Sequence, residues 1–137
     1  MTISPHYYFG VGDGPPGTVI TYFGYSYARM RRGSIGNGMT HHFAFAVDDE
    51  ETQKEWRDKL QSAGVAVTPV LDRKYFRSIY FSDPDGHILE IATAGPGFAI
   101  DESTESLGSG LALPEWLEPD RPAITATLTP LSFHEDN

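Results

Sequence analysis

Between Thr40 and Thr93 the chain carries one helical pattern with strand-like segments on both sides, and that order narrows the possible folds more than any other feature. His42-Phe43-Ala44-Phe45-Ala46-Val47 alternates bulky and small side chains at the two-residue period of a strand. Asp48 or Asp49 can cap the helix that follows, and Asp48 with Glu51 has the spacing of a capping box. The helix is expected from about Glu50 to Ala63, with Gly64 as its stop. Trp56, Leu60 and Ala63 fall on its apolar stripe, and Glu50, Glu51, Lys54, Arg57 and Asp58 fall mostly on the solvent side. Val65 to Val70 reads as a second strand, and Pro69 marks it as an edge. Ser78–Ser82 and His87–Thr93 read as a hairpin around Asp83-Pro84-Asp85-Gly86, where Pro second and Gly fourth suit a type I turn. The expected class is α+β, in the order β-α-β-β-β.

Residues 1–39 form a separate expectation: a Gly/Pro-rich turn at 10–17, a strand at about 17–23, and an exposed connector carrying Arg29, Arg31 and Arg32. Gly12-Asp13-Gly14 is no phosphate loop, because two prolines follow it and no helix opens after it. Residues 95–137 read as an irregular tail in which Leu111, Leu113, Trp116 and Leu117 are the packed anchors. The organisation is therefore a partial module at 1–39, a β-α-β-β-β module at 40–94 and a tail at 95–137, within the length of one ordinary domain. A formal net charge of −9 argues against nucleic acid and anionic lipid as partners. The absence of cysteine excludes disulfides, zinc–thiolate sites and thiol nucleophiles. The first residues lack the pattern of a signal peptide, and no apolar run approaches the ~20 residues of a membrane span, so a cytoplasmic protein is expected.

Strand parity selects the polar residues that can meet. Phe43, Phe45 and Val47 should face the helix, which leaves His42, Ala44 and Ala46 on the opposite side. In the hairpin, Ile79, Phe81, Leu89 and Ile91 should take the helix side, and Tyr80, Ile88, Glu90 and Ala92 the far side. His42, Tyr80 and Glu90 then share a face with small alanines that leave room for a pocket. An imidazole and a carboxylate so placed are two thirds of a 2-His-1-carboxylate iron site. The residues alone leave open a solvated Glu and a structural His. His41 falls on the helix side at the strand's start, His87 lies exposed beside the turn, and His6 and His134 sit in loose terminal segments.

The chain resembles the vicinal oxygen chelate superfamily, which includes glyoxalase I, bleomycin-resistance proteins and extradiol dioxygenases. It is most similar to the C-terminal part of hydroquinone-type ring-cleaving dioxygenases. The likeness rests on residues 41–47, 68–73, 75–81 and 89–93, on Gly95-Pro96-Gly97-Phe98 and on Leu113-Pro114-Glu115-Trp116-Leu117-Glu118; residues 17–23 look like the end of another module. The resemblance implies a mixed sheet curved around a cavity, with the helix on its outer face. It implies Fe(II), or Mn(II) or another divalent metal, held by His42 and Glu90, with His41, Arg73 and Tyr80 as catalytic residues near the substrate hydroxyls and O₂. The implied activity is extradiol-type cleavage of a hydroquinone- or catechol-like aromatic. Where the family's four-module chains place a third metal ligand, on the opening strand of the first module, this chain has no matching strand. A homodimer, a partner subunit or a rearranged His such as His6 is expected to complete the site. The alternative is a non-catalytic small-molecule binding protein of the same superfamily.

Overall fold

The computed structural model of the chain describes residues 4–26, 31–36 and 38–129. Arg29 and His134 lie outside the described residues. Two compact units are present, Met1–Gly95 and Pro96–Asn137.

The first unit contains two sheets. Strands β1 (His6–Gly10) and β2 (Val19–Phe23) form an antiparallel hairpin, with His6 opposite Phe23 and Gly10 opposite Val19. The connecting residues turn twice, with Gly14 N–H donating to Val11 O and Thr18 N–H to Pro15 O. The second sheet is four-stranded, in the order β3-β6-β5-β4: β3 (His42–Val47), β4 (Leu71–Asp72), β5 (Arg77–Ser82) and β6 (Ile88–Thr93). β3 runs parallel to β6, and the helix α1 (Glu50–Ser62) lies between β3 and β4 in the chain. The remaining pairs are antiparallel, so the sheet is mixed. Gly86 N–H closes the β5–β6 turn on Asp83 O at 3.1 Å.

The ends of α1 fall close to expectation, whereas the strand boundaries differ. Asp49, not Asp48, caps α1, accepting from Thr52 N–H at 2.8 Å; Ala63 is the C-cap and Gly64 takes the positive φ of 77° that ends the helix. Residues 65–70 make no strand. Val67 forms an isolated bridge with Phe81, and the edge strand is only Leu71–Asp72. β1 was not foreseen at all.

The interior is small. Ile79 and Ile91, which pair directly, are its buried apolar residues, and Gln53, Ser78, Glu90 and Thr93 are buried polar ones. The inner stripe of α1 is Gln53, Arg57 and Leu60, one position round from the expected stripe, and Trp56 stays 45% exposed. Gln53 Nε2 donates to Arg77 O at 2.7 Å and Ile91 O at 2.9 Å, and Arg57 Nε donates to Thr68 O at 3.0 Å. Carbonyls covered by a helix need donors, and two polar residues of α1 supply them.

The second unit is less irregular than expected. Two 3₁₀ turns, Phe98–Ile100 and Glu115–Asp120, precede a short helix α2 (Arg121–Thr127). Arg121 clamps it with a bidentate pair to Glu118 (2.7 and 2.6 Å) and a bond to Leu111 O (2.9 Å). Leu113 and Leu117 are half-buried, whereas Leu111 and Trp116 are exposed and are not packed anchors.

Candidate active site

The register of the sheet brings the predicted face together. Tyr80 is directly opposite Glu90 across β5–β6, and Glu90 is opposite Ala44 on β3, one step of same-face spacing from His42. The Glu90 side chain is 3% exposed and its oxygens are engaged on three sides. His42 Nε2 lies 2.7 Å from Oε2, Tyr80 O–H donates to Oε1 at 2.8 Å, and Ser78 O–H donates to the same oxygen. His42 and Tyr80 stand edge to face, with ring centroids 5.9 Å apart.

Two further predicted residues join this cluster. His41 Nδ1 lies 2.9 Å from His42 Nδ1, so one nitrogen carries the proton and the other accepts it. The Arg73 guanidinium lies 5.4 Å from the centre of the Tyr80 ring. Its loop is pinned locally: Asp72 Oδ1 accepts from Lys74 N–H at 2.8 Å while Lys74 holds a left-handed φ of 68°. All five predicted residues thus form one chain of contacts, from Arg73 through Tyr80 and Glu90 to His42 and His41. Ser78 was missed by sequence reading, although parity places it on the same face as Tyr80, two residues earlier.

The donor set suits a divalent metal in part. Two cis ligands, each about 2.1 Å from a metal at a right angle, stand about 3.0 Å apart, and the His42–Glu90 pair at 2.7 Å is close to that separation. A carboxylate buttressed by Ser78 and Tyr80 has the outer hydrogen bonds that orient metal ligands. With a cation at Nε2, His42 Nδ1–H would donate to His41. A third donor is missing: among the described residues no three His, Asp or Glu side chains come close enough to hold a metal. His6, a suggested substitute, instead stacks on Phe23 with ring centroids 3.9 Å apart and lies 2.8 Å from Tyr8 Oη.

A cavity of ≈ 220 Å³ meets this cluster at His41 and His42, with Ile35, Met39, Phe43 and His87 among its other walls. Glu90, Tyr80 and Arg73 do not line it.

With fold and site in view, comparison with known proteins is informative. The sequence profile of the Glyoxalase/Bleomycin resistance protein/Dioxygenase superfamily matches residues 5–91, and the chain belongs to that superfamily. It is 44% identical over 104 residues to "Putative ring-cleaving dioxygenase MhqO" of Bacillus subtilis, covering 76% of this chain and 33% of that protein. It is 37% identical over 98 residues to "Chlorohydroquinone/hydroquinone 1,2-dioxygenase" of Sphingobium indicum, covering 69% of this chain and 30% of that one. A crystal structure titled as a putative dioxygenase from Bacillus subtilis superposes with a TM-score of 0.74 at 38% identity, over 93% of this chain and 43% of that one. The chain spans about a third of the length of the curated relatives it matches. Among the described residues, no helix is long and apolar enough to cross a membrane.

Proposed function

We propose that this chain carries the metal-binding half-site of a non-haem Fe(II) ring-cleaving dioxygenase acting on a hydroquinone- or catechol-like aromatic with O₂. The observation that carries the reading is the His42–Glu90 contact at 2.7 Å, braced by Tyr80 and Ser78 on the same carboxylate. The ring-cleaving names of the relatives point the same way. His42 and Glu90 would hold the metal. A bound Fe(II) would supply the electronic link between an aromatic diolate and O₂. Arg73, exposed above the Tyr80 ring, neutralises an anionic substrate oxygen. Tyr80 spends its single O–H proton on Glu90 Oε1 and so orients the metal-holding carboxylate, and His41 exchanges the hydroxyl proton, linked to His42 through the Nδ1 contact.

The third ligand would come from a second copy of this chain or from a separate partner chain. β3 is an edge of its sheet, and exposed Phe43 on it offers a surface for such a partner. Protein purified anaerobically should contain iron, take up O₂ with hydroquinone, and show a native mass above the 15.1 kDa of one chain. His42→Ala and Glu90→Gln should each abolish iron retention and O₂ uptake. Failure to bind any divalent metal, with or without a partner, sinks the proposal. The missing third donor favours one competing reading, a metal-free binding module, which requires His42→Ala to leave ligand affinity unchanged.

A further inference from the structure

The β5–β6 turn holds another histidine at the wall of the cavity that His41 and His42 line. His87 Nδ1 lies 2.8 Å from Asp83 Oδ2, while Asp83 Oδ1 accepts from the backbone N–H groups of His87 (2.8 Å) and Asp85 (2.9 Å). Burial works against the Asp83 charge, but the His87 and Asp85 bonds outweigh it and hold the carboxyl below its ordinary range. Asp83 is therefore the acceptor, and the proton of that contact sits on His87 Nδ1. In the neutral ring this tautomer makes Nε2 an acceptor.

The His87 ring stands at the cavity wall. Tyr22 flanks the ring, with centroids 6.3 Å apart. Against the Cδ2–Nε2 edge lies Gly33, which has no side chain; a Cβ there would stand 3.6 Å from Cδ2 and 3.8 Å from Nε2. Gly33 itself is fixed by its N–H donating to Asp85 O at 3.1 Å. Gly33 and His87 line the same cavity as His41 and His42. An engineered apolar cavity of about 150 Å³ takes up benzene, so ≈ 220 Å³ has room for a ring with substituents.

We infer that His87, positioned by Asp83, selects dihydroxylated rings: its Nε2 accepts a hydrogen bond from a second ring hydroxyl when the first oxygen lies at the His42 end of the cavity. The inference rests on the dioxygenase reading for where the first oxygen binds. It goes beyond that reading by assigning substrate choice to a residue outside the His42–Glu90 cluster.

The test is anaerobic titration of the full chain with hydroquinone and with phenol, followed by quenching of protein fluorescence. The wild type should prefer hydroquinone by about tenfold, the discrimination that one half-exposed hydrogen bond supplies. His87→Phe keeps the ring volume without an acceptor and should erase the preference while leaving phenol affinity within about twofold. His87→Gln restores an acceptor and should recover part of it. A purely structural role for the Asp83–His87 pair would weaken both ligands alike. An equal loss for both ligands, or an unchanged ratio in His87→Phe, overturns the inference. The reading it rests on is tested separately: His42→Ala with undiminished hydroquinone affinity removes the metal-centred site, while the His87→Phe ratio still decides the role of His87. No binding of either phenol overturns both.

Discussion

Glu90 is held from three sides, and the least conspicuous of its partners is the one best placed to test how firmly. Ser78 is fully buried and its hydroxyl donates to Glu90 Oε1, sharing that oxygen with Tyr80. Ser78→Ala removes one hydrogen bond to a carboxylate and leaves the other, and should lower the unfolding free energy in urea by about 1–2 kcal/mol. On the proposed function it should also weaken divalent-metal retention, because the carboxylate proposed to hold the metal loses an orienting bond. Unchanged stability would mean that Tyr80 alone fixes the carboxylate. His42, Tyr80 and Glu90 were legible in the sequence because strands alternate strictly, so three polar residues in apolar runs could be assigned a face. Ser78 obeys the same rule but does not stand out, since serine on a strand is ordinary. The position of Arg73 was not legible, because it depends on a loop in which Lys74 takes φ 68° under the Asp72 side chain.

At the scale of the element, α1 shows where pattern reading fails. Its ends followed from Asp49 and Gly64, whose capping chemistry is local. Its buried face did not, because an apolar stripe presumes that the sheet offers only apolar partners. Here the sheet offers carbonyls, and the fully buried Gln53 answers two of them, while Trp56 stays nearly half exposed. The consequence can be measured. Gln53→Leu, close in volume but without the amide, removes the side-chain donor from Arg77 O and Ile91 O and should cost about 2–3 kcal/mol. Trp56→Ala should cost less than Gln53→Leu, because nearly half of the indole already lies in solvent and it answers no buried carbonyl. Urea unfolding of both variants gives the order. If the tryptophan change proves the more damaging, the helix packs on its apolar stripe after all.

At the scale of the whole molecule, the β-α-β-β-β order of residues 40–94 was readable because each element is set by its own periodicity and its own stop. β1 was not, because His6-Tyr7-Tyr8-Phe9-Gly10 has no alternation to show and every residue in it is exposed; it becomes a strand only by pairing with β2. The tie between that hairpin and the larger sheet was equally hidden in sequence. Asp83, in the β5–β6 turn, faces the Tyr22 phenol of β2; burial first, then the Asp83 charge, raises the phenol above its ordinary range. The neighbouring backbone bond from Gly33 to Asp85 adds the connector. Strong acid should loosen this junction. In the folded chain the Asp83 carboxyl titrates below its ordinary value of 3.8, since the His87 and Asp85 bonds outweigh burial. A carboxylate depressed in this way contributes stability at pH above its unfolded value and loses it as pH falls through the folded value. The wild type should therefore exceed Asp83→Asn in stability at pH 6, and the gap should begin to narrow below about pH 4. Thermal unfolding of both proteins from pH 7 to pH 3 measures that difference directly. A gap that stays constant across the range would show that Asp83 acts through shape alone and that its charge holds nothing together.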